Sequence, residues 1–537
     1  MSSKEHPVAD TTAGRVTGDR IGAVCVFRGV PYAQPPVGEL RFASPRPARA
    51  WSGERDATRF GAPSLQPMMD GSGEDCLHAN VWTPDVRGSR PVFVYIHGGA
   101  WQVGSGSSGA YDGARLAGRG DMVVVTFNYR LGLLGFGLHE QFEDPGTGSC
   151  ANWGMQDQAA ALRWVRDNAA AFGGDPDRIV LGGTSAGGAN SWLLTLLPET
   201  RAIVSRLVSI SACHVWAPAT ALTPDDAGTA YAKLAADLGT TVPGLRHVPV
   251  AALTDGWDRI FSGPPGTRVV GSGREYRGPV VDGRWVTGPA AEQPGPDLPT
   301  MAIHTDTEGS FYTGPFPTQP LEVARPATER QLRDAIRVIM DRGLPGVGDD
   351  LVDACADHYR AAAEADGRPT DPQWLWTEVW GDALFRHGII RRAQRQVRAG
   401  RGPVYLMEFA QPVSPPSFGT PHEATSPFLF GTFTERERLH DTWAFPLDIE
   451  VFAPGPVTTA VSDTFVDLVS SFARGEDPHS PAAPPWPAMD PDSPTAMILG
   501  EHHDGTESTI ARVAPATKQH ALRFWDEIGW GPDAGPA

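Results

Sequence analysis

The stretch RIVLGGTSAGGANSWLLTLL, residues 178–197, passes from an apolar β-branched run, through small residues carrying a single serine, into a helical pattern. A strand that turns sharply through Gly-x-Ser-x-Gly into a helix is a nucleophile elbow: it holds a hydroxyl out above a sheet and aims helix amides at it. Ser185 is that hydroxyl, with Gly183 and Gly187 leaving room for the turn. Outward from the elbow, PVFVYI (91–96) and MVVVTF (122–127) read as strands buried on both faces, and RLVSI (206–210), TMAIH (300–304) and PVYLMEF (403–409) as further strands. Between the second of these and the elbow, Leu162, Val165, Ala169 and Phe172 recur at helical spacing. Strand and helix in alternation predict an α/β chain with a mostly parallel sheet.

The 537 residues are 41% hydrophobic and 20% charged, with no interdomain linker or repeat, so a single large domain is expected over 1–537, loose at 1–10 and 530–537. A net charge of −18 opposes nucleic acid and anionic membrane surfaces as partners. The basic run RHGIIRRAQRQVRAGR (386–401) reads as a solvated helix face. No secretory leader pattern or long uncharged apolar run is seen, so a cytoplasmic setting is expected. Cys25, Cys76, Cys150, Cys213 and Cys355 are scattered and form no metal or disulfide pattern. TERQLRDAIRVIM (328–340) and LWTEVWGDALFRHGIIRRAQRQV (375–397) read as inserted amphipathic helices, and residues 477–494 as a proline-rich surface loop.

A serine needs a base, an orienting acid and oxyanion donors before it is a useful nucleophile. After an elbow of this kind the acid and then the histidine follow on loops behind later strands. His358 and His387 sit in helical patterns, and His502 and His503 read as surface loop. His422, on the glycine- and proline-rich loop after 403–409, is the candidate base. The loop after 300–304 offers Asp306 and Glu308; Glu308, followed by a glycine that permits a tight turn, is preferred, while Asp282 in VVDGRW reads as a hairpin turn. IHGGAW (96–101) supplies a glycine-rich loop, so Gly98 and Gly99 join Ala186 as candidate oxyanion donors, and His97 reads as structural. GSGSSG (104–109) matches a dinucleotide fingerprint but follows no strand directly and is set aside.

FRGVPYAQPPVGELRF, EDCLHANVWTP, VYIHGGAWQVGSG, NYRLGLLGF, residues 152–188, HEATSPFLFG and FARGEDP, in that order along the chain, resemble the type-B carboxylesterase family. The resemblance implies the α/β-hydrolase fold, with a mostly parallel central sheet flanked by helices and long helical insertions over the active site. It also implies a serine hydrolase in which Ser185 is the nucleophile, Glu308 the acid and His422 the base, with Ser211 a supporting hydroxyl near the acid. The substrate expected is a small uncharged, partly hydrophobic ester, attacked with water and without metal or cofactor. Lactone, carbamate or amide cleavage by the same residues, and a non-catalytic binding module, are the alternatives. Trp101, Phe311, Tyr312 and Phe428 are candidate pocket residues.

Three positions depart from the family pattern. Thr184 stands where glutamate is usual, which predicts that a negative charge beside the nucleophile is missing. Ser64 replaces the usual partner of Cys76. Thr425 stands where an acidic residue is common.

Overall fold

In the computed structural model, residues 6–67, 69–212, 223–262, 278–288, 293–314, 324–344, 346–412, 419–433, 455–504 and 507–530 are described. Eleven described strands form one sheet. In chain order they are β1 (Asp19–Ile21), β2 (Val24–Pro31), β3 (His78–Thr83), β4 (Arg90–Ile96), β5 (Val123–Phe127), β6 (Gly174–Thr184), β7 (Val204–Ile210), β8 (Thr300–Thr305), β9 (Val404–Phe409), β10 (Thr495–Asp504) and β11 (Glu507–Pro515). Their order across the sheet is β11-β10-β9-β8-β7-β6-β4-β5-β3-β2-β1. From β5 to β10 every neighbouring pair is parallel, and the outer pairs on both edges are antiparallel. β5, β8 and β9 are buried at every residue, as the uninterrupted apolar runs predict.

The chain leaves β4 for β5 on one side and returns to β6 on the other. Strand order therefore reverses at β4 and β6, and a crevice opens beyond their carboxyl ends, the usual place for a ligand in such a sheet. Register aligns the strand ends beside it: Ile96 lies against Gly183, Ile210 against both Thr184 and Ile303, and Thr305 against Phe409. The loops after five strands thus meet along one rim.

Helices Trp153–Asn168, Ala186–Leu194, His387–Arg398 and Pro456–Ala473 pack on the sheet. The insertion between β7 and β8 carries helices Pro224–Asp237 and Val250–Ser262, which share a separate apolar cluster of Phe42, Phe142, Trp153, Tyr231 and Trp257. Between β8 and β9 lie Glu329–Gly343, Asp349–Ala365 and Pro372–Gly381, followed by a π-helical turn, Asp382–Arg386, and His387–Arg398.

Four expectations are corrected. The basic run 386–401 is no solvated face: Arg386 and Arg392 are 3% and 7% exposed. Arg386 pairs with Asp382 and Glu378, and Arg392 donates to the Ala212 carbonyl, so their charges are met inside the protein. His502 and His503 lie on β10, paired with Thr509 and Ser508 of the edge strand β11, so both belong to the ladder. The expected loose N-terminus does not reach Val8–Thr11, which pairs with Gly14–Thr17; residues 1–5 and 531–537 lie outside the described residues. Asp282 does cap a turn, accepting from the amides of Arg284, Trp285 and Val286, but no described strands flank it as a hairpin would require.

Cys25, Cys76, Cys150 and Cys355 are free thiols, and Cys213 lies outside the described residues. Burial pushes the Cys76 thiol up to about 12, partly offset by a hydrogen bond with Ser64, the residue that stands at the partner position. No helix among the described residues is long and apolar enough to cross a membrane.

Candidate active site

Ser185 closes β6 with φ 58° and ψ −124°, a backbone state that bulky residues avoid and that stores about 1–3 kcal/mol of strain. The surroundings enforce it. A Cβ at Gly187 would collide with the Ile96 carbonyl, and one at Gly183 would stand 2.6 Å from the Gly187 backbone, so neither position accepts a side chain. The Ser185 amide donates to Ile210 O at 2.9 Å, pinning the elbow to β7. Helix Ala186–Leu194 starts on the next residue and turns its positive end toward the hydroxyl.

Glu308 hangs from the loop after β8 and is 2% exposed. Its Oε1 accepts from Ser211 Oγ at 2.6 Å and from the Thr305 amide at 2.9 Å, while Oε2 lies 2.6 Å from His422 Nδ1. Burial alone raises its pKa, but the His422 charge and these hydrogen bonds outweigh burial and hold it below the usual range. The carboxylate thus stays charged where an imidazolium would need it.

His422 is fully buried, on the loop after β9. Its Nε2 has no hydrogen-bond partner among the described residues, which leaves that nitrogen available to a proton. Phe385 lies against the ring with centroids 4.5 Å apart, and Tyr312 and Phe311 follow at 5.6 and 5.8 Å. Phe385 belongs to the π-helical turn, whose extra residue per turn re-aims side chains and is common at functional sites.

Asp306, the other carboxyl of the same loop, is held elsewhere. It accepts from Arg368 at 3.0 Å and lies 3.2 Å from Lys518 Nζ, which also bonds Glu378 at 2.9 Å. Burial raises its pKa, yet Lys518 and Arg368 overcome burial and push it well below the carboxylate range.

The glycine-rich loop after β4 turns back through positive φ at Gly99, Ala100 and Trp101. The amide of Gly98, just before that turn, makes no hydrogen bond among the described residues. Among the described residues no hydrogen bond is made by the amides of Gly99, Ala100 and Ala186. Ala100 was absent from the sequence reading, which took its donors from the two glycines and the residue after the serine. His97 stacks on Tyr129 with centroids 4.4 Å apart, and burial pulls it down to about 4, which suits a neutral structural ring.

Phe311 and Tyr312 flank His422, as a pocket role requires. Trp101 is fully buried and donates to Asn190 Oδ1 at 3.0 Å. Phe428 packs against Phe433 and Phe409, with centroids 4.8 and 5.1 Å away, and is a core residue behind the histidine.

Thr184 Oγ1 lies 2.6 Å from the Tyr95 hydroxyl, which lies 2.9 Å from Ser426 Oγ. Ser426 in turn donates to Glu423 Oε2 at 3.2 Å. A carboxyl therefore does stand beside the nucleophile, supplied from position 423 and not 184. Sequence reasoning passed over Glu423, although an acid next to the candidate base, in a chain lacking one at 184, was the available signal.

A parallel sheet reversing at β4 and β6, with an elbow serine and a paired carboxylate and imidazole on its rim, is the α/β-hydrolase architecture. Residues 5–525 match the carboxylesterase family, and the chain belongs to that family. It is 32% identical to phenmedipham hydrolase of Pseudarthrobacter oxydans, over 94% of this chain and 98% of that one. Para-nitrobenzyl esterase of Bacillus subtilis is 29% identical, over 96% and 98%. A carboxylesterase structure from Geobacillus stearothermophilus superposes with a TM-score of 0.76 at 29% identity, covering 96% of this chain and 99% of that one. The protein is a carboxylic ester hydrolase.

Proposed function

We infer that the enzyme cleaves small uncharged esters through an acyl-enzyme on Ser185. The observation that carries this reading is the buried 2.6 Å contact of Glu308 with His422 Nδ1, which leaves Nε2 unpartnered on the rim that also bears the strained serine. His422 takes the proton of Ser185 as Oγ attacks the carbonyl carbon. The unengaged amides of Gly98, Gly99, Ala100 and Ala186 are the donors available to the tetrahedral oxyanion, and His422 returns the proton to the departing alcohol. Water then repeats the sequence on the acyl-enzyme, releasing the acid and restoring Ser185. Glu308 holds the ring in the tautomer that accepts at Nε2 and stabilises its cation, and Ser211 holds Glu308.

Relatives named for phenmedipham, para-nitrobenzyl esters and cocaine support an ester with a sizeable organic group, and the aromatic wall of Phe385, Phe311 and Tyr312 suits one. The test is hydrolysis of para-nitrophenyl esters of graded acyl length. Wild type turns over and Ser185→Ala falls at least about 10⁴-fold; a fluorophosphonate labels Ser185. Undiminished turnover by Ser185→Ala, or a label on another residue of the active protein, overturns the reading.

A further inference from the structure

Glu423 follows the candidate base directly and adopts φ 70°, a left-handed state uncommon for glutamate. It is 2% exposed. The backbone turn sends its side chain inward: a Cβ on Gly98 would collide with Glu423 Oε1 while standing 3.0 Å from the Thr184 carbonyl oxygen and 3.1 Å from Ser185 Cβ. The carboxyl oxygen thus occupies the corner between the glycine-rich loop and the nucleophile. Oε2 is engaged by Ser426, but Oε1 is buried with no hydrogen-bond partner.

The groups that face Glu423 are His422 beside it, Glu308 behind His422, and the phenols Tyr95 and Tyr111. No lysine or arginine among the described residues bears on it. Burial, its largest influence, outweighs the pull of His422 and of the Ser426 hydrogen bond toward the anion, and shifts its pKa above the ordinary range. A buried acid with one free oxygen is a hydrogen-bond donor in search of an acceptor.

We propose that Glu423 is a specificity-determining residue of this hydrolase: its buried carboxyl, with one unpartnered oxygen beside Ser185, serves an uncharged ester as an O–H donor while it holds a proton and, once deprotonated, opposes the oxyanion and favours a cationic ester instead. The proposal rests on Ser185 being the nucleophile. Its chemistry is a single proton equilibrium, with the proton lost to solvent as pH rises.

The test compares a choline ester with its uncharged 3,3-dimethylbutyl isostere across the pH range in which the enzyme stays folded. In wild type, kcat/KM for the uncharged ester falls as pH rises through the Glu423 titration, and the ratio of cationic to uncharged kcat/KM rises about tenfold or more, the size expected of one nearby charge in a partly buried site. In Glu423→Gln, which keeps the shape and a donor, that fall is absent and the ratio is flat. Ser426→Ala removes a bond that favours the anion, so its ratio rises at higher pH than in wild type; this arm serves even if Glu423→Gln fails to fold. A flat ratio in wild type, a rise that survives in Glu423→Gln, or an unshifted rise in Ser426→Ala overturns the proposal. Turnover independent of Ser185 would instead overturn the reading beneath it.

Discussion

Two carboxyls bracket the Glu308–His422 pair in sequence, half-buried Asp306 two residues before the acid and buried Glu423 one after the histidine, and they have opposite electrostatic fates. Around Asp306 the fold gathers Lys518, Arg368 and, through Glu378, Arg386, so the carboxylate is charged although largely withdrawn from water. Around Glu423 the described residues offer hydroxyls, an imidazole and the Glu308 carboxylate but no lysine or arginine, so its pKa is raised. Burial penalises the charged form of both; what differs is whether a cation stands within reach. The first surrounding makes an ionic clamp for a loop, and the second makes a titratable group beside the nucleophile.

The sharpest way to break this division of labour is to neutralise each carboxyl of the acid loop in turn. Glu308→Gln is expected to lose about 10⁴ in kcat, since the imidazole would be held in the wrong tautomer. Asp306→Asn, with its partners turned away from His422, should keep kcat within about tenfold. Steady-state kinetics on one para-nitrophenyl ester decide it, and an equal loss in both variants would mean that Asp306 acts on the chemistry. Next in size, Lys518→Met leaves Asp306 and Glu378 beside too few cations and should destabilise the fold by about 3–5 kcal/mol, read from the urea midpoint. A smaller effect belongs to the other side: Tyr95→Phe removes the hydroxyl that joins Thr184 to Ser426 and should lose about 1 kcal/mol. Combined with Ser426→Ala its effect should be non-additive, because the two hydroxyls belong to one network.

These partners also mark where sequence reading stops. The elbow, the parallel strands and the His422 loop were legible because each depends on local pattern: a glycine that nothing else can replace, an apolar run, a turn after a strand. Choosing Glu308 over Asp306 rested on a following glycine and on family habit. The physical reason lies in Lys518 and Arg368, 212 and 62 positions from Asp306, which no local pattern connects to it. The basic run 386–401 misled for the same reason, since Glu378, Asp382 and Asp526 meet it only in the fold. Ala100 and Glu423 were hidden more deeply. Their importance is a matter of unfilled hydrogen-bonding capacity, visible only once every neighbouring partner is known.

The smallest effect is also the most diagnostic, because the two carboxyls should tilt stability against pH in opposite directions. Asp306 has a folded pKa below its unfolded value, near 4, so its contribution is present above that value and is lost as pH falls through the folded pKa. Glu423 has a folded pKa above its unfolded value; the folded state holds the proton more tightly, and that contribution is complete below the unfolded pKa and lost as pH rises through the folded one. Each group can supply a slope of no more than about 1.4 kcal/mol per pH unit. Thermal melts from acid to mildly alkaline pH should therefore show Asp306→Asn flattening only the acid limb of the wild-type curve. Glu423→Gln should flatten the fall that begins above the ordinary carboxylate range. A Glu423→Gln curve parallel to wild type would mean that the carboxyl is ionised in the fold, and the contrast between the two surroundings would then reduce to the clamp alone.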